Sequence, residues 1–239
     1  NTDTYISWNW RKGADYGLDI VTYTGTLTGS GVVNISHSLG AIPECIWHMA
    51  RSNILGGCIR HQGLTNANYI MSNDNTMSGG TGTGWGTSAQ GNKSGNGDMT
   101  ALGTSTTFTT NYTSLLNENN ITYVAYVWRG IEGFSKFGSY EGNGNVDGTF
   151  VYTGFRPALV ICKSIDSTSN YSMFDDKRVG YNVDNNELKA STADAEATTD
   201  MIDILSNGFK LRIATDPNVA ETYVYMAWAE NPFQYATAR

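Results

Sequence analysis

The chain has 239 residues, of which 15 are Lys or Arg and 22 are Asp or Glu, so its formal net charge at pH 7 is -7. A net negative charge argues against nucleic acid and anionic membranes as general partners. Only 15% of the residues are charged while Gly occupies 27 positions, which excludes a typical helical protein, and a hydrophobic content of 40% excludes disorder over most of the length.

The chain opens with a strand-like pattern, Thr4–Trp10 (TYISWNW), that returns twice, as Thr122–Trp128 (TYVAYVW) and Thr222–Trp228 (TYVYMAW). The two later copies close segments of similar length, which is the signature of an internal repeat. We therefore interpret residues 1–18 as the closing strand of a preceding repeat plus a linker, and expect the chain to be the C-terminal part of a longer protein. Since a lone strand must pair with a neighbour, residues 4–10 are expected to be ordered against the first repeat.

Residues 19–130 form the first predicted repeat, and residues 131–239 form the second with a C-terminal tail. Further motifs match in order and spacing between the two segments, which favours a duplication over chance. The matched positions are Tyr23 with Tyr140, Gly25 with Gly142, Pro43 with Pro157, and Phe108 with Phe209.

Between turn residues, both repeats contain short segments rich in β-branched and aromatic residues, such as CIWHMA and ALVICKS. No helical crossover separates them, so antiparallel pairing is expected. We predict an all-β fold of two tandem antiparallel β-sandwich, jelly-roll-like domains related by internal duplication. The one helix-like run, Leu188–Leu205, lacks an apolar stripe of helical period and is predicted to be a loop with at most one turn.

The residues that carry chemistry are sparse. Three cysteines, Cys45, Cys58 and Cys162, are an odd number without metal-binding spacing, so we expect them to be buried and reduced. Turn formation accounts for the Asn and Asp residues of Asn182–Glu187, and no metal site or cofactor is expected. Asp175 and Asp176 adjoin each other and would point to opposite faces of a strand, so they do not form the carboxylate pair that glycoside hydrolysis needs. No nucleophile motif occurs either, and the protein is therefore not expected to be an enzyme.

A Gly- and Ser/Thr-rich segment, residues 78–104, cannot bury a core of its own and is predicted to be a long surface loop. Its one large apolar residue, Trp85, either folds back onto the sandwich or stands out to stack on a ligand. The ligand-binding candidates that could stack on sugar rings near loops are Trp85, Trp47, Tyr171 and Tyr181. The tryptophans that end the closing strands, Trp10, Trp128 and Trp228, are expected to be packing anchors.

Three blocks of the second repeat are distinctive: GSYEGNG at 138–144, VYTGFRP at 151–157 and NGFKLR at 207–212. With these blocks the chain resembles a Gly-rich C-terminal repeat module of uncharacterised function, found in tail-fibre-like and other structural proteins of marine tailed bacteriophages, cyanophages among them. The resemblance implies a virion-surface protein that is synthesised and folded in the host cytoplasm. It also implies a homo-oligomer, with a trimer favoured, that contacts other virion proteins, and it supplies no residue-level binding site.

Three functions therefore remain open. The preferred hypothesis is the C-terminal part of a phage fibre or tail-associated adhesin that recognises a host cell-surface molecule, a glycan before a protein, without membrane insertion. The first alternative is a purely architectural capsid decoration or fibre module. The second is a polysaccharide depolymerase, which would need a pair of carboxylates in a groove.

Overall fold

The computed structural model describes residues 5–28, 32–52, 57–64, 70–72, 102–111, 116–167, 169–178, 182, 186–190, 192 and 194–230. Regular structure in these ranges is almost entirely β, with one 3-10 turn at Ala14–Tyr16. No helix in the described ranges is long and apolar enough to cross a membrane. The strands are β1 Leu18–Thr24, β2 Val32–Ser36, β3 Cys45–Ala50, β4 Gly57–His61, β5 Ile70–Ser72, β6 Thr107–Asn111, β7 Thr122–Trp128, β8 Ser135–Glu141, β9 Phe150–Tyr152, β10 Pro157–Ser164, β11 Ser172–Asp175, β12 Leu188–Lys189, β13 Ile202–Leu205, β14 Gly208–Leu211 and β15 Thr222–Ala229.

Two five-stranded antiparallel sheets dominate the fold. The first large sheet has the order β1-β7-β3-β4-β5 and the second large sheet has the order β8-β15-β10-β11-β12. Each strand of one sheet thus has a counterpart at the same place in the other, and the predicted closing strands β7 and β15 both lie second in the order. Two smaller sheets complete the structure, β2-β6 in the first repeat and β13-β14-β9 in the second. The fold is all-β and antiparallel, as predicted.

Both faces of each large sheet are apolar, because side chains alternate between two cores. On β15, Tyr223, Tyr225 and Ala227 pack with the small sheet of the second repeat, in what we term the second outer core. Val224, Met226 and Trp228 face the opposite way, into a central core. In the first repeat a corresponding first outer core contains Phe108, Ala125 and Val127.

The central core lies between the two large sheets. Leu18, Cys45 and Trp128 enter it from the first repeat, and Leu159 and Met226 enter it from the second. All strand pairs among the described residues form within one repeat, whereas this core draws on both. Each repeat is therefore a sandwich of a large and a small sheet, and the two sandwiches are joined by burying the second face of each large sheet.

Contacts around the matched motifs are the same in the two repeats. Tyr23 stacks on Tyr123 with ring centroids 5.2 Å apart, and Tyr140 stacks on Tyr223 at 5.0 Å. Phe108 meets Tyr23 and Phe209 meets Tyr140 edge-on, at 6.2 and 6.0 Å. These contacts lie at equivalent positions of the two segments, and their origin by duplication stays a prediction.

The matched glycines have a steric reason to be glycine. Gly25 and Gly142 donate backbone hydrogen bonds to the carbonyl oxygens of Ile121 and Glu221, at 2.8 and 2.9 Å. A Cβ on either glycine would collide with a backbone carbonyl of the facing segment. A side chain at either position would push the end of the first strand away from the closing strand.

Two local predictions need correction. Leu188–Leu205 was predicted to be a loop, but its ends form β12 and β13, because Leu188 packs against the central core and Ile202 lies in the second outer core. Residues 5–10 are ordered against the core as expected, yet they form no strand with any described residue. The three cysteines are buried and free, as predicted.

Candidate functional site

A cavity of about 690 Å³ lies where the two linkers that follow closing strands meet, and we call it the linker cavity. One linker runs from Trp10 to the start of β1, and the other runs from Trp128 to the start of β8. Its size is in the range of pockets that hold small ligands. The lining residues are Asn9, Trp10, Arg11, Asp15, Tyr16, Arg129, Gly130, Ile131, Glu132 and Phe134.

The two linkers have the same local structure. In each linker, one antiparallel bridge between two residues closes a short loop. These residues are Gly13 and Leu18 in the first linker, and Ile131 and Ser135 in the second. The residues after Trp128 and Trp228 are held in the same way by the two linkers. The backbone N–H of Arg129 donates to Gly17 O at 2.9 Å, and that of Ala229 donates to Phe134 O at 2.8 Å. Neighbouring sheets therefore fix the shape of both walls of the cavity.

Each linker contributes a guanidinium, a carboxylate and an aromatic ring at matching positions, and the first linker adds the ring of Trp10. The first linker supplies Arg11, Asp15 and Tyr16, and the second supplies Arg129, Glu132 and Phe134. The sequence explains this match. In both linkers a tryptophan is followed directly by arginine, then by an acidic residue, and an aromatic residue stands six positions after the tryptophan.

The guanidinium groups differ in how they are held. The Arg11 guanidinium lies 4.7 Å from the centroid of the Tyr16 ring, a cation–π contact at the rim, and Tyr16 is 37% exposed. Arg129 donates from Nη2 to Ala14 O at 2.9 Å, while its buried Nε has no hydrogen-bond partner among the described residues. Burying a charged donor without a partner is costly, so the Arg129 guanidinium is held in place at some expense of stability.

The lining suits recognition of a sugar or a similar polyhydroxylated ring. Aromatic rings stack on the apolar faces of such rings, guanidinium groups donate to hydroxyl or carboxylate oxygens, and carboxylates accept from hydroxyls. Since the cations and anions are equal in number, the cavity is not dominated by the negative charge of the whole chain.

The residues predicted to stack on a ligand lie elsewhere. Trp85 and Tyr181 fall outside the described residues. Tyr171 is 1% exposed in the central core, so its ring is not available at the surface. Trp47 is half-buried on the inner face of the first large sheet, with its ring centroid 6.5 Å from that of Trp128, and it does not line the linker cavity.

The tryptophans at the ends of the closing strands act as packing anchors, as predicted. Trp128 and Trp228 are 3% and 4% exposed, and both belong to the central core. Trp10 is half-buried, because one part packs on this core and another lines the linker cavity. Sequence reasoning used the tryptophans alone; the repeated Trp-Arg dipeptide is the signal that would have located the cavity.

A second cluster of polar side chains is buried in the first outer core. Arg60 is 0% exposed and donates from Nε to His48 Nε2 at 3.1 Å and from Nη1 to Thr109 O at 2.7 Å. His48 Nδ1 lies 3.3 Å from the Tyr23 hydroxyl. Burial, reinforced by the Arg60 charge, holds the pKa of His48 well below its usual range, so the ring is neutral and accepts the Arg60 hydrogen bond. Arg60 and His48 are shielded from solvent, and the cluster serves to join strands.

The carboxylates considered from the sequence are structural. Asp175 forms an ion pair with Arg178 at 2.6 Å, and Asp176 forms one with Lys177 at 3.1 Å. In the Asn/Asp-rich turn, Asn182 Oδ1 accepts from the backbone of Ile204 at 2.8 Å. Within the described part of the chain, no three His, Cys, Asp or Glu side chains come close enough to hold a metal ion.

Comparison with known proteins gives a family without an assigned role. Residues 1–232 match a family described as a domain of unknown function, DUF7483. No curated protein and no solved structure matches the chain. The family match includes both large sheets and both linkers of the cavity. Because it extends over nearly the whole length, the chain belongs to the DUF7483 family.

Proposed function

We propose that this chain is a non-enzymatic glycan-binding module of a bacteriophage fibre or tail-associated adhesin, and that the linker cavity holds a sugar of the host surface. The composition of the cavity is the observation that supports a binding role, because aromatic rings and guanidinium groups from two linkers line it together. The phage setting is supported by the resemblance of the Gly-rich blocks.

The preferred ligand is a sugar that carries a carboxylate, such as a uronic acid. Arg129 has a buried Nε without a partner among the described residues, and Arg11 stands at the rim on Tyr16. A carboxylate in the cavity that reaches the exposed guanidinium nitrogens of Arg11 or Arg129 forms charge-assisted hydrogen bonds, which are stronger than those of a neutral hydroxyl. A weak single site is sufficient for adsorption, because many copies on one particle act together.

The test measures binding of uronic-acid-containing oligosaccharides and their neutral counterparts by saturation-transfer NMR. We expect the acidic sugars to bind, and Tyr16→Leu and Arg11→Gln each to weaken binding about tenfold, equivalent to ~1.4 kcal/mol. Tyr152→Leu is the matched control, because Tyr152 is also exposed and carries a cation, with Lys136 Nζ 5.2 Å from its ring, away from the cavity. No binding, or an equal loss in the control, would contradict the proposal.

A specific observation keeps the depolymerase as a second candidate. Asp15 and Glu132 line the same cavity, one from each linker, and glycoside hydrolysis uses two carboxyl groups on either side of the bond. Prolonged incubation with host capsule or lipopolysaccharide, followed by mass spectrometry, separates the two candidates. Released oligosaccharide that disappears in Asp15→Asn and Glu132→Gln identifies a depolymerase, whereas binding without release supports the adhesin.

The virion setting has its own test, immunoelectron microscopy of intact particles with an antibody raised against these 239 residues. Label at the tail or fibre tips supports the adhesin. Label spread over the head would instead support an architectural decoration, and particles without label would overturn both virion roles.

A further inference from the structure

Residues 6–10, before the first linker, have the alternation of a β-strand but pair with no strand in the described part of the chain. Trp8 and Trp10 are half-buried against the central core, and residues 6–12 make no backbone-to-backbone hydrogen bond with any described residue. Inward and outward positions alternate: Ile6, Trp8 and Trp10 are half-buried, whereas Tyr5, Ser7 and Asn9 are exposed. An apolar, extended edge with unpaired backbone groups is a site for adding strands.

Trp10 stands in an arrangement of near three-fold symmetry with the tryptophans of the two closing strands. The ring centroids of Trp10, Trp128 and Trp228 are 5.6, 5.3 and 5.3 Å apart, and every pair meets edge-on, with interplanar angles between 62 and 75°. Trp128 is the last residue and Trp228 the last but one of the second strand of a five-stranded sheet. Trp10 therefore occupies the position that the tryptophan of the closing strand would have in a third sheet of this kind.

The two large sheets are covered unequally on the faces that line the central core. The registers of β1 with β7 and of β8 with β15 make Ile20 equivalent to Phe137, and Tyr126 equivalent to Met226. Phe137 and Met226 are buried, whereas Ile20 and Tyr126 are half-buried. The first large sheet thus lacks a cover that the second one has.

The cover of the second large sheet is the end of β4 from the preceding repeat. His61 Nε2 lies 3.1 Å from Tyr225 O, and Gln62 Nε2 donates to Phe137 O. Gly63 sits so close to Val224 that a Cβ there would be 3.0 Å from the valine Cγ1. This contact joins unlike surfaces of successive repeats, so it can be repeated from one repeat to the next.

From these observations we propose that residues 5–10 are the closing strand of a third repeat, which lies N-terminal to them in the same protein and completes a three-walled core. Strands equivalent to β1 and β3 flank residues 5–10 in this third sheet. Its β4 end covers the Ile20 side of the first large sheet, as the β4 end of the first repeat contacts Phe137 and Val224 on the second. The inference does not rest on the proposed glycan binding, because its observations come from the central core, although Asn9 and Trp10 also line the linker cavity.

The experiment is hydrogen–deuterium exchange, followed by mass spectrometry, on the full-length source protein and on residues 1–239 at two concentrations. We expect peptides over residues 5–10 to exchange without protection in the 239-residue chain and about 100-fold more slowly in the full-length protein. Exposed Tyr152, on a strand that the third repeat does not reach, lies in the control peptide and should exchange alike in both.

Equal exchange of residues 5–10 in the two proteins would overturn the proposal. So would protection in the 239-residue chain that increases with concentration, because a second copy would then provide the cover. A full-length protein without a sheet-forming repeat before residue 5 would overturn it as well.

Discussion

At the scale of single residues, the two repeats differ most in the outer cores. The register of β3 with β4 places Arg60 opposite Ile46, while the register of β10 with β11 places Phe174 at the equivalent position. His48 likewise corresponds to Cys162. The first repeat therefore holds a guanidinium and an imidazole where the second holds a phenyl ring and a thiol. Hydrogen bonds from Arg60 to His48 and to Thr109 O tie β4 to β3 and β6.

This difference predicts a pH dependence that comes from the first repeat. Unfolded His48 has the ordinary pKa of about 6.5, whereas its folded pKa lies well below that value because of burial and Arg60. Below about pH 6.5 the unfolded chain therefore binds a proton that the folded chain excludes, and the free energy of unfolding falls. This one group should remove roughly 1 kcal/mol between pH 7.5 and 5.5.

The measurement is urea unfolding at the two pH values, for the wild type and for His48→Gln. Glutamine keeps an acceptor for Arg60 but does not titrate, so the variant should lack this part of the loss. Burial also lowers the pKa of His37. Because His37 is present in both proteins, its contribution to the pH dependence cancels in the comparison. Parallel pH profiles for the two proteins would contradict the assignment.

At the scale of elements, the N-terminal segment depends on Trp10 more than on any hydrogen bond. Trp10 packs edge-on against two buried indoles. Because it is half-buried, Trp10→Ala should lower the free energy of unfolding by about 2 kcal/mol, less than the 3–5 typical of a fully buried tryptophan. Ser7→Ala, on the exposed face of the same segment, should change it by less than about 0.5 kcal/mol. Denaturant midpoints measure both changes, and similar values would show that the segment contributes no packing.

The sequence predicts elements well where the information is local. The closing strands and the equivalence of Phe108 with Phe209 follow from a period-two pattern and a repeated motif, and neither needs knowledge of the tertiary structure. The face on which a side chain lies is a different matter. Trp47 and Tyr171 belong to segments that are apolar on both faces, so periodicity does not distinguish an inner position from a surface one. For the same reason the sequence does not show that the two large sheets pack together.

The linker cavity depends on an arrangement that no local pattern contains. The Trp-Arg dipeptides at 10–11 and 128–129 are visible in the sequence, but only the packing of successive sheets brings the two linkers together. The strands β12 and β13 were missed for a similar cause. Their few apolar residues become strands because a neighbouring sheet offers both a backbone partner and a core.

At the scale of the whole molecule, the central core makes the repeats depend on one another. If the two large sheets were separated, Trp128 of the first repeat and Met226 and Trp228 of the second would be exposed to water. Burying such side chains contributes about 1.5–3 kcal/mol each, and several of them together equal a large part of the stability of a domain. The repeats should therefore unfold in one cooperative step.

The three buried thiols report on this cooperativity. Cys58 is in the first repeat, Cys162 is in the second and Cys45 faces the core between them. Burial raises the pKa of Cys58 and of Cys162 to about 12, so the native thiols are protonated and do not react. Pulse labelling with iodoacetamide across a urea series, read by peptide mass spectrometry, should give one midpoint for all three.

Met226→Ala should lower all three midpoints together, because the cavity it leaves opens in the shared core. The expected loss in the free energy of unfolding is about 2–4 kcal/mol. If Cys58 became reactive at a urea concentration at which Cys162 stays protected, the repeats would be independent sandwiches and the central core a mere contact between them.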